Sequence, residues 1–329
     1  MALALALAFS ATANESEYFY ESISNHSALE SGQGVIIDPW STEIDVTYYN
    51  VDGLAVMEGD IILGDFNEIK ERDKGARANV ILTVSKLWPL NTMVYQFDAN
   101  IDSRSRAHFI SAMDNMKNTT FVNFVERTTA NQSQYKNYVY VTSNTTRCSS
   151  QLGMVGGKQT LNLAYNCGVA TATHEIAHAL GIGHEHTRSD RDSHINVYLS
   201  NVQSGFEHNF NKSGSDFAPY SAYDFNSIMH YHSYAFAKDQ SSPTMLRNNG
   251  GQIGFNSVLS QGDIEGINSL YPDNTCTAGA TETRTLRCQS GQITCETGQE
   301  RRQCTSDGIW GEWEIVNSPI CINFGQHCP

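Results

Sequence analysis

The chain has 329 residues, 40% hydrophobic and 17% charged, with a formal net charge of −14. This is a globular composition, too long for one small domain, with room for a catalytic unit and accessories. Residues 14–78 hold 14 Asp+Glu against 4 Lys+Arg, residues 79–272 hold 14 against 13, and residues 273–329 hold 7 against 4, so the acidity sits mainly near the N-terminus and no basic stripe suggests nucleic acid.

The opening MALALALAFSATA is a short apolar run ending in Ala11-Thr12-Ala13, a small-x-small pattern suited to signal-peptidase cleavage before Asn14. A signal peptide over 1–13 implies secretion, although the basic residues that usually precede such a core are missing. No later run is long enough to span a bilayer. The eight cysteines agree with an oxidising compartment: Cys148 and Cys167 stand apart, and six fall between Cys276 and Cys328. No C-x-x-C pair occurs, which argues against a thiolate zinc ribbon.

Residues 14–78 are polar and acidic with scattered apolar positions, expected to pack against something but hardly to fold alone. At Leu87 the texture changes. "LWPLNTMVYQFD" predicts a turn at Pro89 and a strand with Val94 and Phe97 on alternate faces. Phe109, Ile110, Met113 and Met116 follow at helical spacing between Asp102-Ser103 and Asn118; Tyr138 to Val141 is a β-branched and aromatic run. Glycines in "LGMVGGKQTLNLAY" predict a turn, then a strand from Thr160 to Tyr165. A helix near Ser260 to Leu270 ends at Tyr271-Pro272, and beyond Pro272 the chain turns cysteine-rich.

The stretch "ATHEIAHALGIGHEHTRSDRD" (172–192) carries the chemistry. His174 and His178 stand one helical turn apart on one face and can point nitrogens at a single ion. Glu175, one residue round the helix, can take a proton from a water at the ion's open side. Hydrolytic zinc sites use three protein ligands, and His184 is the candidate third. A straight helix would carry it away, since six residues are about 600° of rotation, or about 240° net. Gly181 is the residue able to take a left-handed conformation and end the helix between them. Composition alone predicts about 0.02 occurrences of H-E-x-x-H, and about 5 × 10⁻⁵ with the glycine and third histidine added.

"HEIAHALGIGH" matches the H-E-x-x-H-x-x-G-x-x-H signature of metzincin metallopeptidases, and the following Glu-His-x-Arg-x-Asp-Arg-Asp makes the chain resemble the astacin family. "LWPLNTMVYQFD", "LGMVGGKQTLNL", "SIMHYHSYAFAK" and "LSQGDIEGINSLY" extend the resemblance over 79–272. It implies an α+β catalytic domain in two subdomains, a mixed sheet with the active-site helix above and an irregular half below, hydrolysing protein or peptide substrates with one Zn²⁺. In "SIMHY" it implies that Met229 forms a Met-turn beneath the metal and that Tyr231 is an additional ligand able to stabilise an oxyanion. Glu185 is implied to pair with the amino terminus created by processing, near Asn79, with Arg72, Lys74 and Arg77 as positions open to an activating protease. "VMEGDI" (56–61) resembles the F-x-G-D element of astacin propeptides, which implies that Asp60 blocks the metal in a latent zymogen whose propeptide is 14–78. Met57 replaces the phenylalanine, and Asp65 is a rival for the blocking role.

The resemblance implies a Cys148–Cys167 disulfide. The second expected bridge lacks a partner, because Thr120 stands where the resemblance implies cysteine, so Cys276 pairs within the tail or stays free. Ile182-Gly183 replaces a bulkier pair before the third histidine. The tail, 273–329, reads as a disulfide-rich module similar to small extracellular modules with tryptophan-rich repeats; Trp310 and Trp313 either bind a protein or glycan or pack a core. Asn118, Asn131, Asn144 and Asn211 lie in glycosylation sequons. A catalytically silent, zinc-stabilised binding protein is the rival reading, and Glu175 beside three intact ligands argues against it.

Overall fold

The computed structural model describes residues 30–37, 43–73, 81–84, 86–143, 147–212, 222–290, 293–306, 308, 310–317, 320–321 and 326–327. The expected leader, the cleavage region with Lys74, Arg77 and Asn79, and the sequon at Asn144 lie outside the described residues. The chain folds as two compact units, residues 1–88 with 92–270, and residues 89–91 with 271–329.

In the first unit the acidic segment forms four strands in antiparallel succession: β1 (Ser31–Ile37), β2 (Glu43–Val51), β3 (Leu54–Met57) and β4 (Ile61–Asp65). Asp52 and Gly53 join β2 to β3 with φ of 53° and 86°, the left-handed pair of a type I′ hairpin, for which Asp-Gly is a preferred sequence. Asp65 accepts from the Glu68 amide at 2.9 Å and starts helix α1 (Phe66–Asp73). Ile36, Ile44, Tyr48, Met57, Ile61, Leu63, Phe66 and Ile69 bury together with Leu152 of the body. Apolar positions too scattered to close a core alone thus close one by docking. Strand β5 (Ile81–Val84) lies parallel to β1.

The body adds β6 (Thr92–Phe97), helix α2 (Ser103–Thr119), β7 (Asn123–Glu126), β8 (Tyr138–Thr142), β9 (Ser149–Gln151), β10 (Lys158–Asn162) and helix α3 (Val169–Ala179). All ten strands join one mixed sheet in the order β5-β1-β2-β3-β4-β9-β10-β8-β6-β7. The junction is β4 beside β9, parallel, with Ile61 opposite Ser150 and Ile62 opposite Gln151. Asp102 caps α2 by accepting from the Arg104 and Ser105 amides at 3.0 and 2.9 Å, and Ser105, Phe109, Ala112, Met113 and Met116 form its buried stripe. Thr120 ends the helix: its N–H and its hydroxyl both donate to the Met116 carbonyl at 2.8 Å. The strand expected to reach Tyr165 stops at Asn162, because Cys167 N–H turns back onto the Ala164 carbonyl at 2.8 Å and leaves Tyr165 exposed. Cys148 and Cys167 are bridged, tying the start of β9 to the approach of α3.

Past α3 the chain runs in short turns, with β11 (Ile195–Val197) antiparallel to β12 (Met245–Arg247), before helix α4 (Gln261–Leu270). Ile195, Phe206, Phe210, Tyr231, Phe236 and Met245 form the core of this half. The second unit is an antiparallel sheet of β13 (Thr281–Ser290), β14 (Ile293–Gln303) and β15 (Glu314–Asn317), and in it Cys276 is bridged to Cys304. The Arg302 guanidinium lies 4.7 Å from the ring centres of Trp310 and Trp313, and that of Arg284 lies 4.2 Å from Trp313. These tryptophan faces are engaged by cations of their own sheet.

Candidate metal centre

Every residue of α3 from Ala170 to Ala179 is buried, so its two histidines and one acid are withdrawn from solvent. The helix stops at Gly181, whose φ is 99°. Gly181 N–H donates to the His178 carbonyl at 2.8 Å and Ile182 N–H to the Ala177 carbonyl at 3.0 Å, the paired bonds of a Schellman closure. The chain then turns back and brings His184 to the helix face.

Each imidazole is held from behind. His174 Nδ1 is 2.9 Å from the Ile228 carbonyl, His178 Nδ1 is 2.8 Å from that of Ile182, and His184 Nδ1 is 2.9 Å from Glu58 Oε2. A ring that donates Nδ1–H to oxygen presents Nε2 as a lone pair. The three Nε2 atoms converge on Asp60: His174 is 3.4 Å from Oδ2, and His178 and His184 are 3.5 and 3.4 Å from Oδ1.

Does this arrangement fit a metal? The four ligand atoms lie within 4.8 Å of one another, all on buried residues. Nε2 of His178 and His184 and Oδ1 of Asp60 have no hydrogen-bond partner among the described residues, which is costly for buried polar atoms unless an ion satisfies them. Donors about 2.0–2.1 Å from one tetrahedral centre stand about 3.3–3.4 Å apart, close to the spacings from Asp60 to the three nitrogens. The electrostatics agree. Burial opposes charge on Asp60, yet the imidazoles, His184 foremost, hold its carboxyl well below the usual range. Burial also opposes a proton on His184, but the carboxylates of Asp60 and Glu58 push it up to about 9; burial takes His178 down to about 4. The pocket draws positive charge, and its donor set fits one zinc.

Glu175 is fully buried with both carboxylate oxygens unpartnered among the described residues; burial, and then the Asp60 charge, raise its pKa well above the usual value. Met229, implied as the Met-turn residue, is buried, and its carbonyl accepts from Glu185 N–H at 3.0 Å, one residue past His184. Tyr231, implied as a ligand, donates its hydroxyl to the Glu58 carbonyl and stacks on His186 at 3.8 Å. The Glu58–Asp60 turn stands against that hydroxyl so closely that a Cβ on Gly59 would lie 3.0 Å from it. Glu185, pushed up to about 7 by burial, accepts from Asp224 N–H at 2.8 Å and from Arg188 at 3.0 Å. Asp65, the rival blocker, is exposed at the start of α1 and belongs to that helix cap. Ala170, Thr171, Ile228, His230 and Phe255 line a recess beside His174.

Two residues were not read from sequence. One is Glu58, at the variable position of the F-x-G-D element. The other is Asp263 of α4, whose carboxylate accepts from the Ser227 hydroxyl at 2.6 Å and from the Ile228 and Ser260 amides at 2.9 Å. Asp263 thereby fixes the turn whose Ile228 carbonyl holds His174. Ser260 returns the bond, its hydroxyl accepting from Asp263 N–H at 2.9 Å. The resulting S-x-x-D capping box is legible in "LSQGD".

Residues 80–272 match the peptidase family described as Astacin. Zinc metalloproteinase nas-4 of Caenorhabditis elegans is 33% identical over 218 residues, 65% of this chain and 68% of that one. Flavastacin of Elizabethkingia meningoseptica is 35% identical over 217 residues, 64% of this chain and 48% of its own length. Tolloid-like protein 1 of Mus musculus is 34% identical over 267 residues, 78% of this chain but 25% of that protein, so the chain spans only part of several relatives. Among solved structures, high choriolytic enzyme 1, a hatching enzyme zinc-protease from the medaka Oryzias latipes, aligns with a TM-score of 0.51 and 31% identity over 57% of this chain and 93% of that one. With that match over the body of the chain, and with three histidines and a glycine-stopped helix arranged for one zinc, the chain belongs to the astacin family of zinc metallopeptidases.

Proposed function

We propose that this chain is a secreted zinc endopeptidase made as a latent precursor, with residues 1–13 as leader, 14–78 as prosegment, 79–272 as catalytic domain and 273–329 as an accessory module. The observation that carries the reading is Glu175: a fully buried acid, unpartnered among the described residues and adjacent in sequence to His174, has no use in a purely structural zinc site. Secretion is supported by the apolar N-terminal run and the disulfides. Among the described residues no helix is long and apolar enough to cross a membrane.

His174, His178 and His184 hold the ion. When bound, zinc polarises the scissile carbonyl and acidifies the attacking water. Glu175 takes the proton from that water and delivers it to the leaving amine, a shuttle suited to an acid whose burial raises its proton affinity. Tyr231 moves its hydroxyl from the Glu58 carbonyl to the oxygen on which charge develops.

Latency follows from Asp60, whose carboxylate stands where water and substrate must enter, and from β4, which lies along β9, the edge a substrate backbone would pair with. An activating protease cutting between Arg72 and Asn79 releases both. Glu185 then receives the new amino terminus, a role supported by its burial and its pKa near 7. The processed protein should hydrolyse casein, lose activity to a chelator and regain it with zinc; a processed, zinc-loaded protein that leaves casein intact sinks the proposal.

A further inference from the structure

The third histidine differs from the other two in what stands behind it. His174 and His178 lean on carbonyls of the body, Ile228 and Ile182, whereas His184 leans on a side chain of the acidic segment, Glu58 Oε2 at 2.9 Å. Glu58 occupies the β3–β4 turn at φ 50°, followed by Gly59 at 91°. A left-handed pair of this kind favours Gly and Asn, and glutamate is a poor choice for it. The unfavoured conformation is matched by contacts at both ends of the residue. The carboxylate meets His184, with the Thr187 hydroxyl 3.4 Å away, and the carbonyl takes the Tyr231 hydroxyl. Backbone strain kept at a residue whose carboxylate and carbonyl both meet groups of the site points to a task for it.

We propose that Glu58 is a positioning residue for the metal, holding the His184 ring in the tautomer and orientation that direct Nε2 toward Asp60. The prosegment then supplies a support for the third ligand as well as the carboxylate that plugs the site. Its departure leaves the processed enzyme with two backed histidines and one released from its acceptor. A carboxylate behind a metal-binding imidazole fixes the tautomer and raises the basicity of the far nitrogen, and its loss typically costs 10–100-fold in metal affinity. This inference rests on the zinc reading of the site.

The test uses the full-length chain, its Glu58→Gln and Glu58→Gly variants, and zinc affinity measured by competition with a chromogenic chelator. Glycine suits φ 50° better than glutamate, so Glu58→Gly relaxes the turn while deleting the carboxylate; glutamine keeps an acceptor without the charge. The expected order of affinity is Glu, then Gln, then Gly, with glycine about 10–100-fold below wild type. In the zinc-loaded proteins the His184 Nδ1–H proton resonance should shift on substitution while those of His174 and His178 hold. A residue that matters only to the turn gives the reverse order, with glycine best, and that result overturns the inference, as does equal affinity in all three. A wild-type chain that takes up no zinc overturns the metal reading beneath it as well.

Discussion

Replacing Asp60 by alanine should make the unprocessed chain leak activity. The Asp60 side chain is almost wholly buried and stands 3.4–3.5 Å from three imidazole nitrogens. Removing one member of a buried ionic cluster costs about 3–5 kcal/mol. Expressed as a shift toward the open turn, that is roughly two to four orders of magnitude. The rest of the prosegment keeps its hold: its apolar cluster around Tyr48 and Phe66 is untouched, and the Arg147–Asp52 ion pair at 2.6 Å remains. The unprocessed variant should therefore gain about 10²–10⁴-fold over the latent background and still fall short of the processed enzyme, because β4 continues to cover β9. The assay is hydrolysis of a quenched fluorogenic peptide by a chain in which Arg72, Lys74 and Arg77 are alanine, with intactness followed on gels. A variant as silent as its parent, alongside an active processed enzyme, would show that Asp60 is not the latch.

Glu175→Gln should retain one zinc, since Glu175 is not among the convergent ligand atoms, while casein hydrolysis falls by about 10²–10⁴-fold; metal analysis and the protease assay check both halves. Asp263→Ala strands the donors of Ser227, Ile228 and Ser260 and should lower stability by about 2–4 kcal/mol in urea unfolding, with an unchanged midpoint as the contrary result. His208, stacked on Tyr49 of the acidic segment with ring centres 3.5 Å apart, is taken by burial from an ordinary 6.5 down to about 4. The unfolded chain thus binds a proton that the folded chain refuses. The stability due to this group is complete above pH 6.5 and is lost as pH falls toward 4, by about 3 kcal/mol at most. His208→Gln should remove about one proton from the pH slope of stability near pH 5. Denaturant titrations between pH 7.5 and 4.5 measure it, and an identical slope in the variant refutes the assignment.

What could be read in advance follows the range of the interactions involved. His174 and His178 are one helical turn apart, and Gly181 carries the helix stop in its own backbone preference, so local rules suffice for the heart of the site. Asp102 and the Phe109–Met116 stripe likewise give α2 its start and its buried face. The β-rich character of the acidic segment was harder to see, because its strands complete their core only with Leu152 and their sheet only against β9. Its Asp52-Gly53 hairpin was nonetheless a legible short-range signal. Glu58 lies 126 residues from the histidine it supports, and Asp263 lies 35 from the amide of Ile228. No periodicity or propensity links such pairs; they exist only once separate elements have packed.

The account turns on a single ion shared by three imidazoles, and anomalous diffraction at the zinc edge from crystals of the unprocessed chain tests it most directly. One peak is predicted, about 2.0–2.1 Å from Nε2 of His174, His178 and His184, with an Asp60 oxygen completing the set. A peak that His184 does not touch, or no peak at all in protein supplied with zinc, would contradict it.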